Sequence, residues 1–234
     1  MNRGDRRELI FMDDADRQRF VDTLGEVCAY VLMPNHFHRV VETPQPNLVA
    51  GMKWLLGTYT SRFNRRHKFF DHLFSGRYKS LIVDGSGNGY LKSVGDYVHL
   101  NPARAKLVVA DAPLKNFTWS SWPAYLLAHS KRPAWLRADR LLGWWGIPED
   151  SPVGRQRLER SLAEFIIAEE LKLGRRQEAD LKTRPKGDSV KVALAARLRA
   201  ETTMTVGWIA ERLAMGTRGY LNYLLYRRRK LDGE

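Results

Sequence analysis

Apolar positions recur with a helical period over Asp13–Val27, where Phe20, Leu24 and Val27 share one stripe and Asp13 or Asp14 can cap the start. Ala29–Met33 is short, apolar and β-prone, and Pro34-Asn35 is a turn signal. His36–Glu42 then alternates as a strand, with His36, His38 and Val40 on one face and Phe37, Arg39 and Val41 on the other. Leu48–Arg66 returns to helical spacing through Met52, Leu55, Leu56, Tyr59 and Phe63 and ends on a basic run. Leu73–Val83 reads as extended, residues 84–89 as a glycine-rich turn, and Tyr90–Lys106 as a helix interrupted near Pro102. Residues 107–150, rich in Pro and Trp, read as a wrapping segment.

The last third is helical. Ser161–Leu173 forms an amphipathic stretch, and the polar residues 174–188 suit a linker. Ser189–Ala200, Thr205–Ala214 and Arg218–Arg229 follow, with Gly216 at the last turn. Three short helices with a glycine turn and a basic last helix match a helix-turn-helix module over residues 189–230. The expected fold class is α+β, with an all-helical C-terminal module.

Charge sharpens this picture. The 234 residues carry 39 Lys and Arg against 26 Asp and Glu, a net charge of +13, which favours a polyanionic partner. The surplus is uneven: Lys172–Lys230 holds 15 Lys and Arg against five Asp and Glu. No apolar run is long enough to span a bilayer, and no signal-peptide core follows Met1. The lone Cys28 can form neither an internal disulfide nor a metal site by itself. A cytoplasmic protein that binds nucleic acid and not membrane is expected.

Two segments carry candidate chemistry. His36 and His38 project from one strand face and can converge on a divalent cation; incidental histidines are the alternative from spacing alone. Tyr97 and Asn101 are four apart and share a helix face, so a phenol and a neutral oxygen ligand can reach one cleft. The bland alternative is a core tyrosine followed by a helix end at Pro102. Tyr59, Tyr78 and Tyr90 are rival nucleophiles by type but lack a ligand-type partner at helical spacing. His99 lies on another face and reads as structural.

The blocks MPNHFH, TYTSRFNRRH, LFSGRYKSLIVD and DYVHLNPARAKLV together resemble the REP-associated tyrosine transposases, single-tyrosine members of the HUH endonucleases. The resemblance covers about residues 2–125, in the family's order and spacing. The tail, TTMT through WIAERL to MG, is similar to the helix-turn-helix carried by many members. The resemblance implies a transposase domain over 1–125, a wrapping segment and linker over 126–188, and the DNA-binding module over 189–230. It implies a ferredoxin-like or RRM-like antiparallel sheet with helices on one face. It also implies metal binding by His36, His38 and Asn101, with Mg or Mn as the ion, and Tyr97 as nucleophile. Single-stranded or hairpin DNA would be cut and rejoined through a 5′-phosphotyrosine. Arg62, Arg65, Arg66, Arg77, Lys79 and Arg218 are expected on DNA phosphates.

The sequence departs from the family pattern in three places. The strand before the Arg-Gly block must be missing or very short, which would leave a sheet edge open for a homodimer. Residues 26–30 are compressed. Arg39 replaces an apolar residue and must reach solvent or a partner, because burying it unpaired costs roughly several kcal/mol. These departures keep open a second reading, a decayed or domesticated DNA-binding protein. An RRM-type RNA binder would need aromatics where His36 and His38 stand.

Overall fold

A computed structural model describes residues 1–83, 89–108 and 113–232. The chain forms two compact units, residues 1–101 with 118–148, and residues 102–117 with 149–234. The class is α+β: among the described residues there are ten α-helices and one three-stranded antiparallel sheet. None of those helices is long and apolar enough to cross a membrane.

The first unit holds β1 (Asn2–Arg3), α1 (Asp14–Val21), β2 (Ala29–Met33), β3 (His36–Val40), α2 (Leu48–His67), most of α3 (Tyr90–Arg104), α4 (Trp122–Tyr125) and α5 (Ala138–Trp144). The sheet order is β1-β3-β2, so β3 is central. Pro34-Asn35 folds the hairpin, whose register sets Val31 opposite His38 and Met33 opposite His36. Alternation then sends Phe37 to the other face, where it packs with Phe20 at 4.7 Å between ring centroids. Phe11 and Tyr59 complete this cluster, and the Tyr59 hydroxyl donates to the Ile10 carbonyl at 2.6 Å. Burying one such ring contributes about 2–3 kcal/mol.

Several elements differ from expectation. The first strand is very short, as expected, with only two residues. Its outer edge is not open: Ser75 N–H donates to Arg3 O, Asp5 N–H to Leu73 O and Lys79 N–H to Met1 O. The segment 73–79, expected to be extended, therefore occupies the edge that pairing with a second copy, one of the readings open from sequence, would have used. The outer edge of β2 is also occupied, since Leu32 N–H donates to Trp119 O and Ser121 N–H to Tyr30 O. Helix α1 stops at Val21 instead of Val27. Past Gly25 the chain is drawn into backbone hydrogen bonds between Val27 and residues 135–137. Pro102 does not interrupt α3, which continues to Arg104. The predicted turn at 84–89 lies almost wholly outside the described residues, as do residues 109–112 of the wrapping segment.

Arg39 lies on the Phe37 side, and its guanidinium reaches the Met52 sulfur of α2. Burial holds its pKa below the usual arginine value. A buried carboxylate ties α1 to α2. Asp16 accepts the Met12 N–H and hydrogen bonds from Arg66 and His67, while Asp13 pairs with Arg66 and caps α1.

The second unit contains α6 (Pro152–Leu173), α7 (Asp180–Thr183), α8 (Ser189–Glu201), α9 (Val206–Arg212) and α10 (Arg218–Asp232). Helix α6 begins nine residues before the expected start. Ser151 accepts the Gly154 N–H, and Pro152 sits in the first turn, where its missing N–H costs nothing. The stretch 174–188, read as a linker, is folded into this unit. It carries α7 with Leu181 buried, and the buried Lys191 ammonium donates to the carbonyls of Leu181, Arg184 and Ala214. Arg197 binds Glu169, Glu170 and Glu201, and Arg212 binds Glu164 and Glu178.

His99, read as structural, is fully buried. Its Nε2 hydrogen-bonds with Ser121 Oγ at 3.1 Å, and that hydroxyl also bonds the backbone N–H and carbonyl of Tyr30. Burial pushes its pKa from 6.5 down to about 3. Between those values the unfolded chain binds one proton more than the folded one. Stability is therefore intact above pH 6.5 and is lost as pH falls, by about 1.4 kcal/mol per pH unit. Denaturant melts from about pH 6.5 to about pH 4 should show wild type falling more steeply than His99→Gln; parallel slopes would contradict this.

Candidate functional site

The hairpin places His36 and His38 on the sheet face opposite the aromatic cluster. Their rings meet edge to face, with centroids 5.2 Å apart. Tyr97 of helix α3 meets this same face. The Tyr97 ring packs edge to face on His38, with centroids 5.5 Å apart and planes at 83°. Tyr97 is 46% exposed. Asn101 follows one turn later on α3 and is almost fully buried.

The orientation of His36 has a clear cause. Asn35 Nδ2 donates to the Arg7 carbonyl at 3.2 Å, which turns Oδ1 toward the imidazole. His36 Nδ1 then donates to that oxygen at 2.8 Å. The proton is thereby held on Nδ1, and the Nε2 lone pair is left as a potential ligand.

Both imidazoles favour the neutral form. Burial first, and then the positive charge of Arg3, lower the pKa of His36. Burial also lowers that of His38 to about 4, with the neighbouring His36 and Arg3 charges adding to the effect. Arg3 pairs directly across from His36 in the β1–β3 register, so its charge lies on the edge of this face. Two neutral imidazoles, one with a fixed tautomer, form a donor set suited to a divalent cation. Among the described residues no group of three or more His, Cys, Asp and Glu is arranged to hold a metal.

The other predicted residues separate. Arg62 donates to Thr23 Oγ1 at 2.8 Å. Arg66 was expected on a phosphate but is held by Asp13 and Asp16, an intramolecular use that the sequence did not reveal. Arg65, Arg77 and Lys79 are exposed in the first unit, and Arg218 is exposed on α10 of the second. Among the rival nucleophiles, Tyr59 is buried in the core and its pKa is raised by burial. Asn35 and Arg3 were not singled out from sequence. Asn35 looked like a turn residue, and its role depends on a carbonyl 28 residues away.

No family model matches the chain, and no curated protein or solved structure matches it either.

The site makes a direct prediction. In an NMR titration the His38 ring should lose its proton near pH 4, with His36 also titrating below its ordinary value. A His38 midpoint near 6.5, the ordinary value, would contradict the packing described.

Proposed function

We propose that the chain cuts and rejoins single-stranded DNA with Tyr97 as nucleophile. The observation that carries this reading is the contact between Tyr97 and His38, with His36 beside it on one sheet face. A half-exposed tyrosine, two imidazoles that favour the neutral form and an amide one helical turn beyond the phenol are groups that a metal-assisted phosphoryl transfer can use.

Tyr97 Oη forms a bond to phosphorus while the bond to the 3′-oxygen breaks. The phenol loses its proton and the departing 3′-oxygen gains one. The products are a 5′-phosphotyrosine and a free 3′-hydroxyl. The phosphodiester is conserved, so a 3′-hydroxyl can reverse the step without ATP. His36, His38 and Asn101 would hold a divalent Mg or Mn ion, which when bound draws electron density from the phosphate's non-bridging oxygens. Neutral ligands leave the ion's charge undiminished, which favours an anionic substrate. Arg3, Arg65, Arg77 and Lys79 would steer the strand.

The fold readings belong here too. A ferredoxin-like arrangement is supported by the order β1-β3-β2, with residues 73–79 bonded along β1 as a fourth element. The chain order of strand, helix, hairpin, helix and extended segment agrees with that arrangement. A helix-turn-helix reading of α8–α10 is supported by the glycine turn at Gly216, with φ of 88°, and by the shared core of Leu198, Ile209, Leu213 and Leu221.

Incubation with a hairpin oligonucleotide carrying a single-stranded flank, in Mn²⁺, should give a covalent protein–DNA adduct. Tyr97→Phe should abolish it, and His38→Ala should reduce it by about two orders of magnitude or more. An undiminished adduct in Tyr97→Phe would assign the chemistry to another residue. DNA binding without any adduct would favour the domesticated, non-cutting reading.

A further inference from the structure

The last helix of the second unit displays an unusual face. Tyr220, Tyr223 and Tyr226 are 41%, 52% and 57% exposed, although large aromatics ordinarily bury most of their surface. They are three residues apart, so they run along one side of α10, while Leu221 is fully buried on the other. The Tyr220 and Tyr223 rings lie 31° from parallel with centroids 6.5 Å apart. That distance is close to two base-stacking rises of about 3.4 Å.

Charge accompanies the rings. Arg227 sits over the Tyr223 ring at 5.8 Å, and Lys230 sits over Tyr226 at 5.2 Å. Between residues 213 and 231 there are five Arg and Lys and no acidic residue.

We infer that this face of α10 binds single-stranded DNA by stacking unpaired bases on Tyr220, Tyr223 and Tyr226. A duplex keeps its base faces hidden and offers only edges, which are read by bidentate polar side chains. Three phenol faces have nothing to stack on there. Unpaired bases expose their faces, bind aromatics with little sequence preference, and bring phosphates to flanking cations. The face thus selects by strand state. The stacking argument is independent of the strand-cutting chemistry; the choice of DNA over RNA rests on that reading.

The test uses the full-length chain with Tyr97→Phe and His38→Ala as background, without added metal, so that strand cutting plays no part. Fluorescence anisotropy is read with an oligo(dT) strand, an oligo(U) strand and a blunt duplex of equal length. Oligo(dT) should bind more tightly than the duplex. Tyr223→Leu should weaken oligo(dT) binding by about ten-fold or more and leave the duplex unchanged, while Tyr223→Phe should retain it. Equal losses on strand and duplex, no loss on either, or tighter binding of oligo(U) would overturn the inference. Tyr223 is half-exposed, and a circular dichroism melt matching the background confirms that Tyr223→Leu folds. Adduct formation by the wild-type chain is scored separately, so either reading can fail alone.

Discussion

The candidate site depends on one constraint, the alternation of side chains along β3. Phe37 must enter the aromatic cluster formed with Phe20, Phe11 and Tyr59, because that cluster anchors α1 and α2 to the sheet. With Phe37 committed, His36 and His38 are forced together onto the opposite face. A one-residue slip in the hairpin would reverse every side chain and destroy both the core and the imidazole pair. The register is held from outside as well, by residues 73–79 along β1 and by residues 119–121 along β2.

Electrostatics then divides the molecule's basic residues into two populations. One is consumed internally: Arg66 by Asp13 and Asp16, Arg197 by three glutamates, Arg212 by two, and the Lys191 ammonium by three carbonyls. These groups fix helices in place, and the net charge overstates what a partner meets. Others lie exposed, among them Arg65, Arg77 and Lys79 in the first unit and Arg218 in the second.

The hairpin and both histidines were legible in the sequence because a Pro-Asn turn between two β-prone runs admits few alternatives, and strand alternation fixes the faces. Helix α2 was legible from its apolar stripe. The end of α1 was not, since Val27 is claimed by backbone partners, and the Glu26 carboxylate by Arg137, more than a hundred positions away. The early start of α6 was hidden because Ser151-Pro152 resembles a loop until its capping bond is seen. The packing of residues 174–188 into the second unit was hidden because their polarity outweighed the single buried Leu181. The ion pairs of Arg66 were hidden for the same kind of reason: nothing local announces that Asp13 and Asp16 will reach it. Tyr97 was named from its block, but its contact with His38 needed two elements to meet in space.

The central claim is that two imidazoles, a phenol and an amide surround one cation-binding cleft. Anomalous diffraction from crystals grown with Mn²⁺ measures this most directly. The account predicts a single strong peak about 2.1 Å from nitrogens of His36 and His38, with the Asn101 oxygen as a further ligand and the Tyr97 phenol facing it across room for a phosphate. A peak elsewhere on the protein, or one at the histidines with the phenol turned away and walled off, would contradict it.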